Sequence, residues 1–203
     1  MYTNIVICGG ALAGMTLALS LQNKGFNIVI IDPRDTKEVI EQDKRTTAIA
    51  AGPRSFYRDL GVWEKLNKKI EAINRISILD GSSSISLDFD YRDFIDENNA
   101  MDINSLGHVV ENSDLIKQIN LKINKNKNLG QVKRFKSKVL DIKVDKFLAK
   151  VFLENNKQIS ADLIIAADGK NSLTRKIIGI KENRSTYDQE AYVTQILHEK
   201  NHD

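Results

Sequence analysis

Residues 5 to 14 read Ile5-Val6-Ile7-Cys8-Gly9-Gly10-Ala11-Leu12-Ala13-Gly14, and a second apolar run, Ile28-Val29-Ile30-Ile31-Asp32, follows one helix length later. Ile5 to Cys8 is continuously apolar and ends in glycines, the pattern of a strand buried on both faces of a parallel sheet. Met15 to Lys24 reads as a helix. Leu17, Ala18, Leu19 and Leu21 are good helix formers, and Gly25 is a natural C-terminal stop. Ile28 to Ile31 is the second buried strand, ending at Asp32-Pro33. Strand, glycine turn, helix and strand in succession make a βαβ unit, which places the chain in the α/β class.

The turn carries the first candidate chemistry. A G-x-G-x-x-G turn sets a pyrophosphate on a helix N-terminus, where free N–H groups and the helix dipole favour negative charge. Gly9 and Gly14 occupy the first and third glycine positions; Ala11 stands at the second, with Gly10 beside it to relax the turn. The whole segment Gly9, Gly10, Ala11, Leu12, Ala13 and Gly14 is the candidate phosphate cradle. Asp32 lies 18 residues beyond Gly14, close to the spacing at which a carboxylate bonds a ribose hydroxyl pair. A purely structural turn in another α/β protein is the competing reading.

Outward from this unit, residues 33 to 52 read as polar loop containing Arg45-Thr46-Thr47. Pro53 suits the first turn of a helix that runs to Leu60 and stops at Gly61. Trp63, Leu66 and Ile70 fall at helical spacing, with Trp63 a core or seam residue. Ile76 to Leu79 and Ile85 to Phe89 form a hairpin around Asp80-Gly81-Ser82. Asn112 or Ser113 caps a helix whose Leu115, Ile116, Ile119 and Ile123 share one face. From Val139 the period becomes two. Val139 to Val144, Phe147 to Leu153 and Gln158-Ile159 read as a meander with turns at Asp145-Lys146 and Asn155-Asn156.

Leu163 to Ala167 reads as a further buried strand running into Asp168-Gly169. An acidic residue at the carboxyl end of such a strand lies where open α/β sheets bind ligands, and Gly169 lets the backbone turn away sharply. The alternative is that Asp168 and Ser172 only cap the helix carrying Arg175 and Lys176.

Composition narrows the classes. Of 203 residues, 41% are hydrophobic and 28% charged, which is ordinary for a globular chain. A net charge of +3 with dispersed lysines argues against nucleic acid as a partner. The one cysteine, Cys8, permits no internal disulfide and is expected to be a buried, inert thiol in a reducing compartment. No run approaches the ~20 apolar residues of a membrane span. The start of the chain lacks the basic stretch and small-residue cleavage site of a signal peptide, so a cytoplasmic location is expected.

The glycine turn and the Asp-Gly segment together resemble the class A FAD-dependent monooxygenases of the p-hydroxybenzoate-hydroxylase-like fold, and within them the ubiquinone-biosynthesis hydroxylases. The segments that carry the narrower resemblance are Asp43-Lys44-Arg45-Thr46-Thr47-Ala48-Ile49-Ala50, Leu60-Gly61-Val62-Trp63, Leu106-Gly107-His108-Val109-Val110-Glu111-Asn112, Ala161 to Gly169, and Tyr187-Asp188-Gln189. The resemblance implies an FAD-binding Rossmann-like βαβ domain with a β-meander, built from 1–74 and 106–182. An incomplete antiparallel substrate-domain sheet would be drawn from 75–105 and 183–203, with Gln189 to Leu197 a strand lacking neighbours. It implies FAD as cofactor, NAD(P)H and O2 as co-substrates, and hydroxylation of a prenylated phenol quinone precursor. Contact with other ubiquinone-biosynthesis proteins and with the surface of the inner membrane is implied as well.

Carried over residue by residue, Gly9, Ala11 and Gly14 would line the FAD pyrophosphate and Asp32 would hold the adenosine ribose. Arg45 would contact the phosphates or ribityl chain, and Asp168-Gly169 would serve both FAD and NAD(P)H. Asn112 stands where relatives have an Arg or Gln touching the flavin nucleotide, with a plain helix cap as the other reading. His108 is expected to pack rather than to react, and no residue is nominated as catalytic. The family's later Gly-Asp motif has no counterpart, since no Gly-Asp pair occurs in the sequence. The chain is therefore expected to be a fragment or truncated frame, inactive alone. A non-catalytic FAD- or ADP-binding module, or a related FAD monooxygenase acting on another small aromatic, fits the same residues.

Overall fold

The structure is a computed structural model and describes residues 1–66, 69–81, 85–94, 104–192, 194, 196 and 199. The apolar run at the start becomes strand β1 (Tyr2–Cys8), followed by helix α1 (Leu12–Gln22) and β2 (Ile28–Asp32). β1 and β2 are parallel, with Ile5 opposite Ile28 and Cys8 opposite Ile31, so the expected βαβ unit is present.

Three further strands come from the meander: β9 (Val139–Val144), β10 (Ala149–Leu153) and β11 (Gln158–Ala166). With β8 (Val132–Lys136) they complete a six-stranded sheet in the order β8-β2-β1-β11-β10-β9. β8, β2, β1 and β11 run parallel, while β9 and β10 are antiparallel to their neighbours. The two short apolar runs expected at 158–159 and 163–167 are one nine-residue strand. Its first part pairs with β10 and most of its length lies along β1. Leu163, expected to be buried, is 51% exposed; it lies on the part of β11 that has already passed β10.

Alternation in β1 and β2 divides the core. Ile5, Ile7, Ile28 and Ile30 pack against α1 and against α4 (Asn112–Lys125), whose Leu115 and Ile119 are fully buried. Val6, Cys8, Val29 and Ile31 face the opposite way and pack with Val139, Val151, Leu153 and Ile159 of the meander. Both faces of the two strands are therefore covered, which is why their sequences are continuously apolar rather than alternating.

Several expectations are corrected. Residues 33 to 52 are not all loop. Asp35 and Glu38 form a reciprocal capping box that starts α2 (Thr36–Gln42), and β3 (Thr46–Ala50) follows. The helix expected from Pro53 begins earlier, as α3 (Ala51–Asp59). Trp63 and Leu66 lie on a single 3-10 turn (Trp63–Leu66), and Ile70 has moved into β4 (Ile70–Ile73). With β7 (Gly107–Glu111), β3 and β4 make a three-stranded antiparallel sheet in the order β3-β7-β4. The hairpin is present as β5 (Arg75–Leu79) and β6 (Ser86–Asp90), a separate two-stranded sheet; Ser82 of its expected turn lies outside the described residues.

The strand expected over Gln189 to Leu197 is not formed at the described positions 189–192, 194 and 196. A strand needs a partner to accept its backbone bonds, and no strand pairing involves these positions. Val193, Gln195 and Leu197 lie outside the described residues.

Candidate functional site

Four chain segments converge at the carboxyl ends of the parallel strands. β1 ends in the glycine turn, β2 in Asp32, β8 runs into Ser137-Lys138, and β11 leads into Asp168-Gly169. They enclose a cleft of ≈ 510 Å³. Of the residues singled out from the sequence, Gly9, Ala11, Asp32, Arg45, Asp168 and Gly169 line it. Gly10, Leu12, Ala13 and Gly14 form the turn and first helical residues behind that wall. Asn112 stands off the cleft.

The turn is shaped by close backbone approaches. Gly9 has φ +109°, a conformation that L side chains rarely adopt, and a Cβ there would overlap the Ala167 carbonyl. A Cβ on Gly14 would run into the carbonyl of Gly9. Both glycines are thus required by packing of strand, turn and helix. The N-cap of α1 is Ala11, which offers no side-chain acceptor to the first N–H groups of the helix. An uncapped helix N-terminus beside a cleft is a place for an anion.

Asp32 is buried, 3% exposed. One carboxylate oxygen accepts the Gly10 N–H at 2.8 Å; the other accepts the Arg34 backbone N–H at 2.9 Å and Arg34 Nε at 3.1 Å. Burial alone would push its pKa up, but the Arg34 side chain and the Gly10 and Arg34 N–H groups outweigh it and hold the carboxyl below its usual range. Asp32 is therefore an anion that already knits the turn to the loop after β2. A ribose hydroxyl pair would share it with Arg34.

Arg45, the residue before β3, is exposed and held by its own neighbour. Its Nε and Nη2 bond the Asp43 carboxylate at 2.8 and 2.6 Å. The Arg45 side chain first, against the cost of burial, keeps Asp43 below the ordinary carboxylate range. Asn112 joins the same group. Its Nδ2 lies 3.3 Å from Asp43 Oδ2, and its Oδ1 accepts Thr47 Oγ1 at 2.5 Å. Asn112 is not a cap: the N-cap of α4 is Glu111, which makes no side-chain capping bond. Asn112 thus reaches the cleft indirectly, through Asp43 and Arg45.

At the far wall Gly169 turns the chain with φ +81°. The Asp168 carboxylate accepts Ser172 Oγ at 2.5 Å and the Thr174 N–H at 2.9 Å, and Ser172 Oγ accepts the Arg175 N–H. Burial would raise the Asp168 pKa, but these bonds hold it low. The capping role is present, and the residue still lines the cleft. His108 packs its ring edge-on to Trp63 at 5.4 Å, as expected of a packing residue. Burial leaves Cys8 2% exposed and pushes its thiol up to about 11.

Sequence reasoning missed Arg34, Lys138 and Arg134. Lys138 comes into the cleft from the end of β8, and Arg134, on that strand, bonds the Gly10 carbonyl at 3.1 Å.

A glycine-shaped turn, an uncapped helix N-terminus, a buried carboxylate at the end of β2 and a second acidic turn across one cleft are the parts of a dinucleotide site. The family model described as FAD binding domain matches residues 2–202. The chain belongs to the FAD binding domain family. It is 26% identical to the ubiquinone biosynthesis monooxygenase COQ6 of Dictyostelium discoideum, over 94% of this chain and 42% of that protein. It is 28% identical to the ubiquinone hydroxylase UbiL of Rhodospirillum rubrum, over 98% of this chain and 44% of the relative. The chain spans less than half the length of these relatives. Among solved structures, p-nitrophenol 4-monooxygenase PnpA from Pseudomonas putida superposes with a TM-score of 0.74 at 17% identity, covering 92% of this chain and 46% of PnpA. That likeness shows the shared fold.

Proposed function

We propose that this chain is the FAD-binding part of an aromatic-ring hydroxylase of ubiquinone biosynthesis. The observation that carries the proposal is the single cleft that gathers Gly9, Ala11, Asp32, Arg45, Asp168 and Gly169. The residues fit the ADP half of FAD. The turn and the N-terminus of α1 would take the pyrophosphate, Asp32 the adenosine ribose, and Arg45 a phosphate or the ribityl chain. Asp168-Gly169 would close the opposite wall. Bound FAD would supply the redox chemistry, with NAD(P)H and O2 as co-substrates, and the protein would bind, orient and exclude water.

The substrate proposed is a prenylated phenol, by analogy with relatives named as ubiquinone hydroxylases. Other ubiquinone-biosynthesis proteins and the inner-membrane surface are proposed as contacts of a cytoplasmic protein. No helix among the described residues is long and apolar enough to cross a membrane. The 203-residue chain alone is proposed to bind FAD without hydroxylating, because its sequence holds no Gly-Asp pair.

Equilibrium dialysis with FAD and ADP, followed by NAD(P)H oxidation in the presence of a prenylated phenol, tests this. Saturable FAD binding without hydroxylated product by mass spectrometry is expected. Absence of FAD binding would overturn the cofactor assignment, and product formation would overturn the inactivity of the chain alone.

A further inference from the structure

Arg134 is a half-buried cation that bridges two walls of the site. It sits on β8 opposite Ile30 of β2. Its Nη1 donates to the Gly10 carbonyl at 3.1 Å and approaches Met15 Sδ at 3.5 Å; Nη2 and Nε donate to the Arg34 carbonyl at 3.0 and 3.3 Å. None of these partners is a carboxylate. Holding a guanidinium out of water against neutral carbonyls costs stability, and burial is also what pulls its pKa down.

From this geometry we infer that Arg134 is a positioning residue for the pyrophosphate turn, and that its guanidinium is the reason residue 10 is glycine. The inference rests on the FAD reading of the cleft. Gly10 is pinned at both ends, its N–H by Asp32 and its carbonyl by Arg134. The Gly10–Ala11 peptide is planar and trans, so its carbonyl and N–H point in opposite directions. With the carbonyl held against Arg134, the Ala11 N–H is turned the other way. That N–H has no partner among the described residues, and Ala11 lines the cleft. Arg134 thereby presents the donor that a pyrophosphate would meet at the second position of the turn. Through the Arg34 carbonyl it also ties the turn to the loop that follows Asp32.

Gly10 does not have a positive φ, so its backbone conformation does not demand glycine. A Cβ there would instead lie 2.6 Å from Arg134 Cζ. The guanidinium is the end of a flexible side chain, so alanine at position 10 would displace it and undo the clamp without breaking the turn.

FAD and ADP affinities of the wild-type chain, Arg134→Met, Gly10→Ala, the double variant and Arg134→Lys, each with its unfolding temperature, test the inference. Arg134→Met and Gly10→Ala should each weaken both nucleotides by about tenfold, the loss of one charged hydrogen bond. The double variant should be no weaker than either alone. Arg134→Lys, which keeps a donor within reach of Gly10, should recover part of the affinity. Arg134→Met leaves the Gly10 and Arg34 carbonyls without their donor, so it should unfold somewhat earlier than wild type yet remain folded at the temperature of the dialysis. Wild-type-like affinity in Arg134→Met, additive losses in the double variant, or Arg134→Lys binding no better than Arg134→Met would each overturn the inference while leaving the FAD reading intact. A wild-type chain that binds no FAD would overturn both.

Discussion

The Asp32 carboxylate accepts the Gly10 N–H at 2.8 Å, so the acidic residue that ends β2 closes the glycine turn that ends β1. The two halves of the proposed nucleotide site are thus one hydrogen-bonded unit before any ligand arrives. Asp32→Ala should leave the buried Gly10 N–H without its acceptor. Stability should fall by roughly 1.5–3 kcal/mol in urea unfolding, with weaker FAD and ADP binding in dialysis. Asp32→Asn, which can still accept from Gly10, should lose less stability. Equal stability of Asp32→Ala and wild type would show the bond to be dispensable.

Gly14→Val should abolish nucleotide binding. The first carbon of the new side chain would meet the Gly9 carbonyl, and the space next to it holds the Ile7 side chain. Neither neighbour can retreat, because Gly9 is packed under Ala167 and Ile7 is in the core. Overpacking of this kind costs about 1–3 kcal/mol or more. Unchanged FAD affinity by dialysis would sink the placement of the turn against the pyrophosphate.

The parts of this fold that sequence reveals are those whose pattern is local. β1, β2 and the glycine turn are legible because strands buried on both faces are continuously apolar and the turn needs glycine. The meander is legible from its alternation and its Asp145 and Asn156 turns. β3 and β7 escape because they hold each other. Thr46 to Ala50 has one buried residue, Ile49, and becomes a strand only when Gly107 to Glu111 lies beside it. Asn112 reads as a cap because Asn favours that position, yet its amide is taken by Asp43 and Thr47, which are remote in sequence. Arg134 escapes for the same reason: its partners, Gly10 and Arg34, lie about a hundred residues away in sequence or more.

Asp43 is the hub that holds Arg45 and Asn112 together. Asp43→Ala should release Arg45 and leave the buried Asn112 amide short of a partner. FAD affinity should fall, and Arg45→Ala should then add little in the Asp43→Ala background, since residues in one network do not act additively. Additive losses on titration would mean that Asp43 does not act through Arg45.

Cys8 should be inert in the folded chain. It is 2% exposed, and burial pushes its thiol up to about 11, so very little thiolate exists at neutral pH and the sulfur is almost wholly shielded. A thiol-reactive disulfide reagent at about pH 8, near the ordinary thiol pKa, should titrate no sulfhydryl until denaturant is added, then one. Rapid labelling of the native chain would contradict the packing of Cys8 between β2 and the meander.

Acid should dismantle the site through three carboxylates. Asp32, Asp43 and Asp168 all have pKa values held below the ordinary range. For Asp32 and Asp168 burial opposes the shift and hydrogen bonds overcome it; for Asp43 the bond from Arg45 is the largest cause. A carboxyl with a lower pKa folded than unfolded contributes its full stabilisation above the unfolded value, about 3.9, and loses it as pH falls through the folded value. The unfolding temperature should therefore be flat with respect to these groups above about pH 5 and drop steeply below about pH 4. Asp32→Asn and Asp43→Asn cannot titrate at these positions, so each should start from lower stability near neutrality and show a shallower acid limb. Parallel acid limbs for wild type and both variants would mean that these carboxylates do not carry the pH dependence.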